Sequence, residues 1–329
     1  MISEPSPPPT NLANLPSELI ALIAEKVDIA SRCTIRKCSK DLYDLMDEST
    51  FVVKDLNVSL VSVGAIVRFG EGLQLLYQKQ SEECYIQGCS SKRIFNSKVV
   101  KDNYLETVVN DLMTNLKNPK LIVKHLTFKN YDQANFDIIH PFLALLHQKL
   151  NELGHNLHVE SATFHHFNED DVMQIVPFFQ PEVLKKLNME LKKHDPLTQI
   201  INLDQWKQAE HLCSNVIEPL DEILHFKKVE FRCCSLETKS IPWDQFKSFL
   251  EKVIGQADHS LLQLKAPGLK VPEELEDYIK NKERINATEY FSGEIVLRNL
   301  EDGVQLVMVQ WPCLGILKFV NGQKDDSFQ

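Results

Sequence analysis

The chain has 329 residues, of which 43% are hydrophobic and 25% are charged, a balance typical of globular proteins and sufficient for one large domain or two modest ones. Its formal net charge of −10 argues against broad attraction to nucleic acid or to anionic lipid, because phosphate binding needs clustered lysine and arginine. No secretory leader pattern and no apolar run of ~18 residues occurs, and the eight scattered cysteines suit reduced thiols. We therefore expect a cytoplasmic or nuclear protein.

Two short amphipathic helices are predicted after a proline-rich tail. Residues 1–13 contain four prolines among small polar residues, which favours disorder. The first helix carries apolar residues on one face, at positions 15, 19, 20, 23 and 27. In the second segment, Ile35, Cys38, Leu42 and Leu45 follow one another at spacings of three, four and three.

The ends of these helices have clear signals. Pro16 suits the first helical turn, where its missing N–H is not needed, and Asp28 is a good N-cap for the second helix. The apolar faces must be covered, either by the rest of the chain or by another protein. In the first case the pair is an N-terminal hairpin that closes the end of the following domain.

The next segment, residues 51–117, is predicted to connect the helices to a larger domain. It contains a strand within 51–69 with a turn near Gly64, an irregular polar stretch over 77–100, and a helix over 103–116.

From residue 118 the chain alternates between strand-like and helix-like runs. The predicted strands begin at 123, 157, 184, 228 and 261, and the predicted helices cover 138–150, 170–179, 203–224 and 243–254. Further β segments are expected at 294–297, 304–309 and 315–320. The irregular period of about 30 residues predicts a strand–helix layer over 118–325, either a solenoid resembling leucine-rich repeats or an ordinary α/β domain. The fold class is therefore α/β.

Two parts of the chain resemble a known family. Residues 14–50 resemble an F-box, through Leu15, Pro16, Glu18, Leu19, Ile23 and Val27 and then Asp28, Ser31, Arg32, Arg36 and Lys37. Residues from about 118 onward resemble an FTH domain, through the runs at 117–121 and 175–187.

This resemblance implies a substrate-receptor subunit of a Skp–cullin–F-box ubiquitin ligase. The F-box would dock on a Skp-family adaptor, and through it on a cullin, with an apolar face formed by Leu15, Pro16, Leu19, Ile20, Ile23, Val27, Ile35, Cys38 and Leu42. The domain at 118–325 would hold a target protein on its strand face, at His125, Thr127, His158 and Glu160 or at their alternates. The alternative is a protein-interaction scaffold with a degenerate F-box and no ligase role.

No catalytic, cofactor or metal site is predicted. The chain has no Gly-x-Ser-x-Gly, Gly-x-Gly-x-x-Gly or Gly-x4-Gly-Lys-Ser/Thr pattern. Cys33 and Cys38 stand five positions apart on a predicted helix and point in different directions, and His165 and His166 are expected in a turn. We therefore expect a chain that binds other proteins and has no enzymatic activity of its own.

Overall fold

The computed structural model describes residues 15–80, 83–90, 93–94, 97–131, 136–192, 196–216, 219–231, 244, 247–249 and 251–252, and then the strands 262–265, 285–288, 293–300, 303–310, 319–320 and 323–324. The predicted tail at 1–13 lies outside these residues. Packing of the Cα atoms divides the chain into two compact units, which are treated separately below. The first comprises Met1–Ser161 and Gln174–Val183, and the second comprises Ala162–Met173 and Leu184–Gln329.

The first unit begins with three short helices: α1 (Ser17–Lys26), α2 (Ile29–Ile35) and α3 (Lys40–Glu48). Asp28 is the N-cap of α2 as predicted, because its carboxylate accepts a hydrogen bond of 2.8 Å from the Ser31 N–H.

The prediction of one continuous second helix was wrong. A turn at residues 36–38 ends α2, and the Ser39 hydroxyl accepts a hydrogen bond from the Leu42 N–H to begin α3. Ile35 and Leu42 consequently belong to different helices, although their spacing in sequence fits a single one.

The described strands that follow in the first unit are β1 (Phe51–Val61), β2 (Gly64–Phe69), β3 (Leu73–Gln80), β4 (Glu83–Ser90), β5 (Arg93–Ile94), β6 (Lys98–Val100) and β7 (Leu121–Asn130). β1 pairs in parallel with β7 and antiparallel with β2, and the antiparallel pairing continues through β3 and β4 to β5 and β6. Gly64 is required at the first hairpin, since a Cβ there would lie 1.8 Å from the Tyr77 carbonyl oxygen.

The expectation of an irregular stretch over 77–100 was wrong, because β4, β5 and β6 and the end of β3 lie within it. Among the residues of these strands whose burial is described, only Tyr77, Cys84 and Gly88 are buried. With so few buried side chains the apolar alternation is too weak to recognise in the sequence.

α4 (Tyr104–Leu116) covers this sheet by contacting β2, β3 and β4, and α5 (Phe136–Asn151) packs on α4. Both helices were predicted. The Tyr77 hydroxyl donates a 2.8 Å hydrogen bond to Asp111 of α4. Burial, and then the neighbouring Asp111 carboxylate, raise the pKa of Tyr77 far above its usual value, so the phenol stays protonated and holds α4 against β3.

The next strand, β8 (His158–Phe167), contributes its first four residues to the first unit and the remainder to the second. The second unit continues with α6 (Glu169–Met173), β9 (Lys186–Leu191), α7 (Asp204–Gln208), β10 (His211–Ser214), β11 (Lys228–Phe231) and β12 (Leu262–Lys265). The strands from β9 to β12 pair in parallel in chain order.

Asn215 extends the pairing of β9 and β10 beyond the end of the shorter strand. Its side-chain amide accepts a hydrogen bond from the Leu191 N–H at 2.8 Å and donates one to the Leu191 carbonyl at 2.7 Å. The side chain thus replaces a backbone partner for Leu191, in a position where both groups are buried.

Two helices predicted after β8 differ from the structure. The helix over 203–224 was wrong, since α7, β10 and a 3₁₀ turn at Leu220–Ile223 share that stretch. A four-residue strand such as β10 is too short to be recognised by its period. The helix predicted over 170–179 is instead divided into α6 and a 3₁₀ turn at Val176–Phe178. Of the helix predicted over 243–254, the described residues 244, 247–249 and 251–252 are helical.

The described C-terminal strands are β13 (Ile285–Thr288), β14 (Gly293–Leu300), β15 (Gly303–Gln310), β16 (Phe319–Val320) and β17 (Gln323–Lys324). β14 and β15 include the β segments predicted at 294–297 and 304–309; they pair antiparallel with each other, and β14 also pairs antiparallel with β12. Within the described residues, no helix is both long and apolar enough to cross a membrane.

Candidate functional site

The three N-terminal helices have a small hydrophobic core of their own. It consists of Ile20 and Ala24 from α1 and of Leu42 and Met46 from α3, all nearly inaccessible to solvent. Leu15, Ile35 and Leu45 are partly buried against it. Because this core takes up one face of α1, that face cannot also bind another protein.

Arg32 of α2 joins the three helices to one another and to β1. Its buried guanidinium donates hydrogen bonds to the carbonyl oxygens of Ala24 and Met46 and to the Ser49 hydroxyl, the last at 2.8 Å. The same group lies 4.6 Å from the centre of the Phe51 ring. Burial lowers the pKa of Arg32 below its usual value, but an arginine remains charged at neutral pH.

A second basic residue, Arg36 just after α2, fixes the outer side of α3. Arg36 forms an ion pair with Asp47 at 3.0 Å and lies over the Tyr43 ring, 4.8 Å from its centre. Lys117, just after α4, donates a 3.1 Å hydrogen bond to the Tyr43 hydroxyl, and this bond lowers the pKa of Tyr43. These contacts therefore join α3 to the end of α2 on one side and to the end of α4 on the other.

The other face of α1 carries a second set of apolar side chains, and these are open to solvent. Leu19 is 46% exposed and Leu22 is 56% exposed. An α-helix turns by about 100° per residue, so these two leucines lie within about 60° of each other and on a different side from Ile20 and Ala24. They help to line an open concavity of about 430 Å³, together with Leu15, Ile23, Lys26 and Val27.

We call this surface the α1 groove. Its lining is apolar except for Lys26, whose aliphatic stem can lie along such a surface while its charge stays in water. A contiguous apolar patch left open on a folded helix is typical of a protein-interaction site.

The structure divides the residues predicted to bind the adaptor. Leu15, Leu19, Ile23 and Val27 line the α1 groove, and Pro16, which precedes α1, is exposed. Ile20 and Leu42 are instead buried in the core of the helices, at 3% and 4% exposure, so their assignment to the exposed face was wrong. An apolar period identifies a face but does not say what covers it.

The remaining predicted residues lie apart from the α1 groove. Ile35 packs against the helical core, and Cys38 is exposed in the turn after α2, where its thiol donates to the Thr34 carbonyl. Sequence reasoning missed Leu22, although it stands three positions after Leu19. Two apolar faces overlap on this ten-residue helix, so a single-face interpretation assigned Ile20 to the outer face and omitted Leu22.

The strand face that carries the four residues named first in the sequence analysis is the more open of the two faces. In the first unit His125 is exposed, and Thr127, His158 and Glu160 are half-buried, whereas their alternates Leu126, Phe128, Val159 and Ser161 are buried. Glu160 forms an ion pair with Lys124 and has the His158 ring nitrogen Nε2 at 4.0 Å. This face is polar and charged, in contrast to the α1 groove.

The cysteines weighed as metal ligands lie in separate environments. Cys33 is partly buried, and burial raises the pKa of its thiol. Cys84 is buried on β4, and Cys89 is half-buried on the same strand. No cluster of three or more residues suited to a metal ion occurs in the part of the chain that the structure describes.

Comparisons with known proteins find two domains, in the parts of the chain whose motifs resemble an F-box and an FTH domain. The F-box domain model matches residues 12–54, and the FTH domain model matches residues 140–241. The chain is similar to F-box A protein 224 of Caenorhabditis elegans, with 24% identity over 226 residues. That match covers 67% of this chain and 58% of the relative.

Among solved structures, a Bacteroides fragilis protein from a structural genomics programme is similar over 62% of this chain and 95% of its own. The identity is 8% and the TM-score is 0.20, which is too low to bear on the fold. The sequence matches bear on the family instead. The F-box model precedes the FTH model along the chain, and the motifs noted in the sequence analysis resemble the two domains in the same order. These matches support the F-box/FTH family.

Proposed function

We propose that this chain is the substrate-receptor subunit of a Skp–cullin–F-box ubiquitin ligase. The observation that carries the proposal is the α1 groove: α1 exposes Leu19 and Leu22 although its other face already packs in a complete core. An F-box implies a Skp-type adaptor as the partner for this surface and, through the adaptor, a cullin. The groove residues would pack against apolar side chains of the adaptor.

We further propose a division of labour along the chain. Residues 14–50 dock on the adaptor, residues 51–117 link the two parts, and residues 118–325 hold the target protein. The target-binding surface would be the open strand face that includes His125, Thr127, His158 and Glu160. The in-order parallel pairing of β9 to β12 supports an arrangement resembling leucine-rich repeats for the target-binding part.

The mechanism requires no catalytic group from this chain, which would act in the cytoplasm or the nucleus. A target held on the same assembly as a charged conjugating enzyme presents its lysines at a high effective concentration. The transfer of ubiquitin then becomes nearly intramolecular, and positioning alone accelerates it.

The test is a double substitution in the α1 groove, Leu19→Ala with Leu22→Ala, assayed for binding to a purified Skp-family adaptor. Each leucine buried at an interface contributes roughly 1.5–3 kcal/mol, so the double variant should bind at least about a hundredfold more weakly. Both side chains are exposed in the free chain, so the fold should be unaffected.

A matched control is Val63→Ala with Tyr131→Ala, which removes two exposed apolar side chains elsewhere in the first unit. This control should bind the adaptor as the wild type does. Wild-type affinity in the Leu19/Leu22 variant, or equal losses in both variants, would contradict docking through the α1 groove.

A further inference from the structure

Two lysine pairs that are far apart in sequence meet at one end of the second unit's parallel strands. Lys185 and Lys186 stand at the beginning of β9, and Lys227 and Lys228 stand at the beginning of β11. β10 lies between them, and its first residue, His211, is in register with both Lys186 and Lys228.

The backbone places the preceding residues in a second row. The N–H groups of Glu210 and His211 both donate to the Lys185 carbonyl at 2.9 Å. Those of Lys227 and Lys228 donate to the Glu210 carbonyl at 2.8 and 3.2 Å. Lys185, Glu210 and Lys227 thus form one row across the strands, and Lys186, His211 and Lys228 form the next; we call them the basic rows.

The basic rows carry more positive than negative charge. Glu210 is shared by two lysines, with Lys227 at 2.9 Å and Lys185 at 3.6 Å, and Lys228 pairs with Glu230 at 2.9 Å. Lys186 is exposed and has no ion pair among the described residues. Four lysines therefore face two carboxylates, on a chain whose formal net charge is −10.

Most of this charge is accessible to a partner. The side chains of Lys185 and Lys227 are 51% and 68% exposed, and that of Lys228 is 33% exposed. Neighbouring strands lie about 4.8 Å apart, so the backbones at Lys186 and Lys228 are about 10 Å from each other, close to the length of three extended residues. A short peptide can therefore reach both outer lysines across His211.

The protonation of the His211 imidazole should respond to a negative charge bound beside it. Burial lowers its pKa below the usual value, and Lys228, Lys186 and Lys227 lower it further, while Glu210 acts in the opposite direction. The imidazole is consequently neutral at pH 7 in the free chain. An anion bound beside it would favour the protonated form.

We propose that the basic rows bind an acidic segment of a protein, whose carboxylates lie across the starts of β9, β10 and β11. This inference rests on the proposed function, in which the second unit belongs to the target-binding part, and it assigns the chemical class of the target's contact segment. The occupant follows from charge complementarity between the rows and a carboxylate-rich chain. The strand register brings the lysines together, and the carboxylate of Glu210 holds two of them in place.

The experiment measures binding of a fluorescein-labelled oligoglutamate of about ten residues to the full chain by fluorescence anisotropy, with an oligoglutamine of equal length as the reference. Lys186→Gln with Lys228→Gln should weaken oligoglutamate binding about five- to thirtyfold, since two exposed ion pairs are lost. Lys207→Gln removes an exposed lysine of α7, outside the rows, and should leave binding unchanged.

Glu210→Gln should have the opposite effect on oligoglutamate binding. It removes the carboxylate that occupies Lys185 and Lys227, so oligoglutamate should bind about two- to fivefold more tightly. Lowering the pH from about 8 to about 6 should also tighten binding as His211 takes up a proton, and His211→Gln should reduce this pH response. A general loss of folding cannot produce changes of both signs.

Several results would overturn the proposal. These are oligoglutamate binding no tighter than oligoglutamine, equal weakening by Lys207→Gln, or tighter binding of an oligothymidylate of the same length. Adaptor binding by the Lys186/Lys228 variant should equal that of the wild type. If neither the wild type nor any variant binds the adaptor while oligoglutamate still binds, the proposed ligase role is contradicted. The proposed binding of an acidic segment at the basic rows is then still supported.

Discussion

The α1 groove and the basic rows are both open surfaces, but they are built in different ways. The groove comes from thirteen consecutive positions and is apolar, and it exists because one short helix has two apolar faces. The rows come from three separate strand starts and are charged, and they exist because parallel pairing brings distant residues into register. Burial of apolar area supports strong binding, whereas exposed charge pairs support weaker binding that depends on salt.

The two surfaces also differ in the structure that supports them. The groove sits on a core of four main residues and on the buried Arg32, so its shape depends on a small folded unit. The rows sit on the backbone ladder of β9 to β11, where each strand start is fixed by its neighbour. Changes in the helical core should therefore disturb the groove first, and side-chain changes in the rows should leave the fold intact.

The largest effect is expected from Arg32→Ala. The substitution takes away the buried donor of the Ala24 carbonyl and one donor of the Met46 carbonyl, which retains the Ser49 hydroxyl, and it removes a charged group that bridges the three helices; together these losses should destabilise the helices by roughly 3–5 kcal/mol. Hydrogen–deuterium exchange over residues 17–48 measures this loss. Arg32→Lys, which retains the charge but cannot reach all the carbonyls, should fall between the wild type and alanine. Unchanged protection in Arg32→Ala would show that the helices do not depend on this contact.

A smaller effect is expected from substitutions at two adjacent positions of α1, one on each of its apolar faces. Ile20→Ala removes a side chain from the helical core and should cost roughly 2–4 kcal/mol of helix stability. Leu19→Ala removes an exposed side chain and should change stability by less than about 0.5 kcal/mol, while weakening adaptor binding about tenfold or more. Exchange over residues 17–48 and adaptor titration give the two readouts. Similar stability losses in both variants would mean that Leu19 is a core residue and not part of a docking surface.

The smallest expected effect is the response to salt, which compares the two surfaces directly in the wild-type chain. Raising the salt concentration from about 0.05 M to about 0.5 M should weaken oligoglutamate binding about tenfold, because screening reduces attraction between exposed charges. Adaptor binding through the apolar groove should change by less than about twofold, since its main term is not electrostatic. Equal salt responses would contradict the assignment of one surface to apolar contacts and the other to charge.

Much of this organisation can be read from the sequence alone. The first helix, its Pro16 start, the Asp28 cap and four of the groove residues follow from local spacing, because helix ends and helical faces depend on residues at most four positions apart. The strands β7, β8, β9 and β11 and the helices α4 and α5 follow from the same kind of local period. The sequence alone left open which side chains of β7 and β8 face outward, because a shift of one residue in register exchanges the two faces.

Only the tertiary structure decides which of two apolar faces is covered. Ile20 and Leu19 are equally apolar and adjacent in sequence, but packing against Leu42 and Met46 buries the first and leaves the second open. The strands β3 and β4 are likewise stabilised by pairing within a sheet, and so few of their described side chains are buried that their apolar alternation is weak. Lys185 and Lys186 in isolation suggest no more than a solvated surface. Strand register, which is a property of pairing between distant segments, places them beside His211, Lys227 and Lys228 and so makes a charged surface of them.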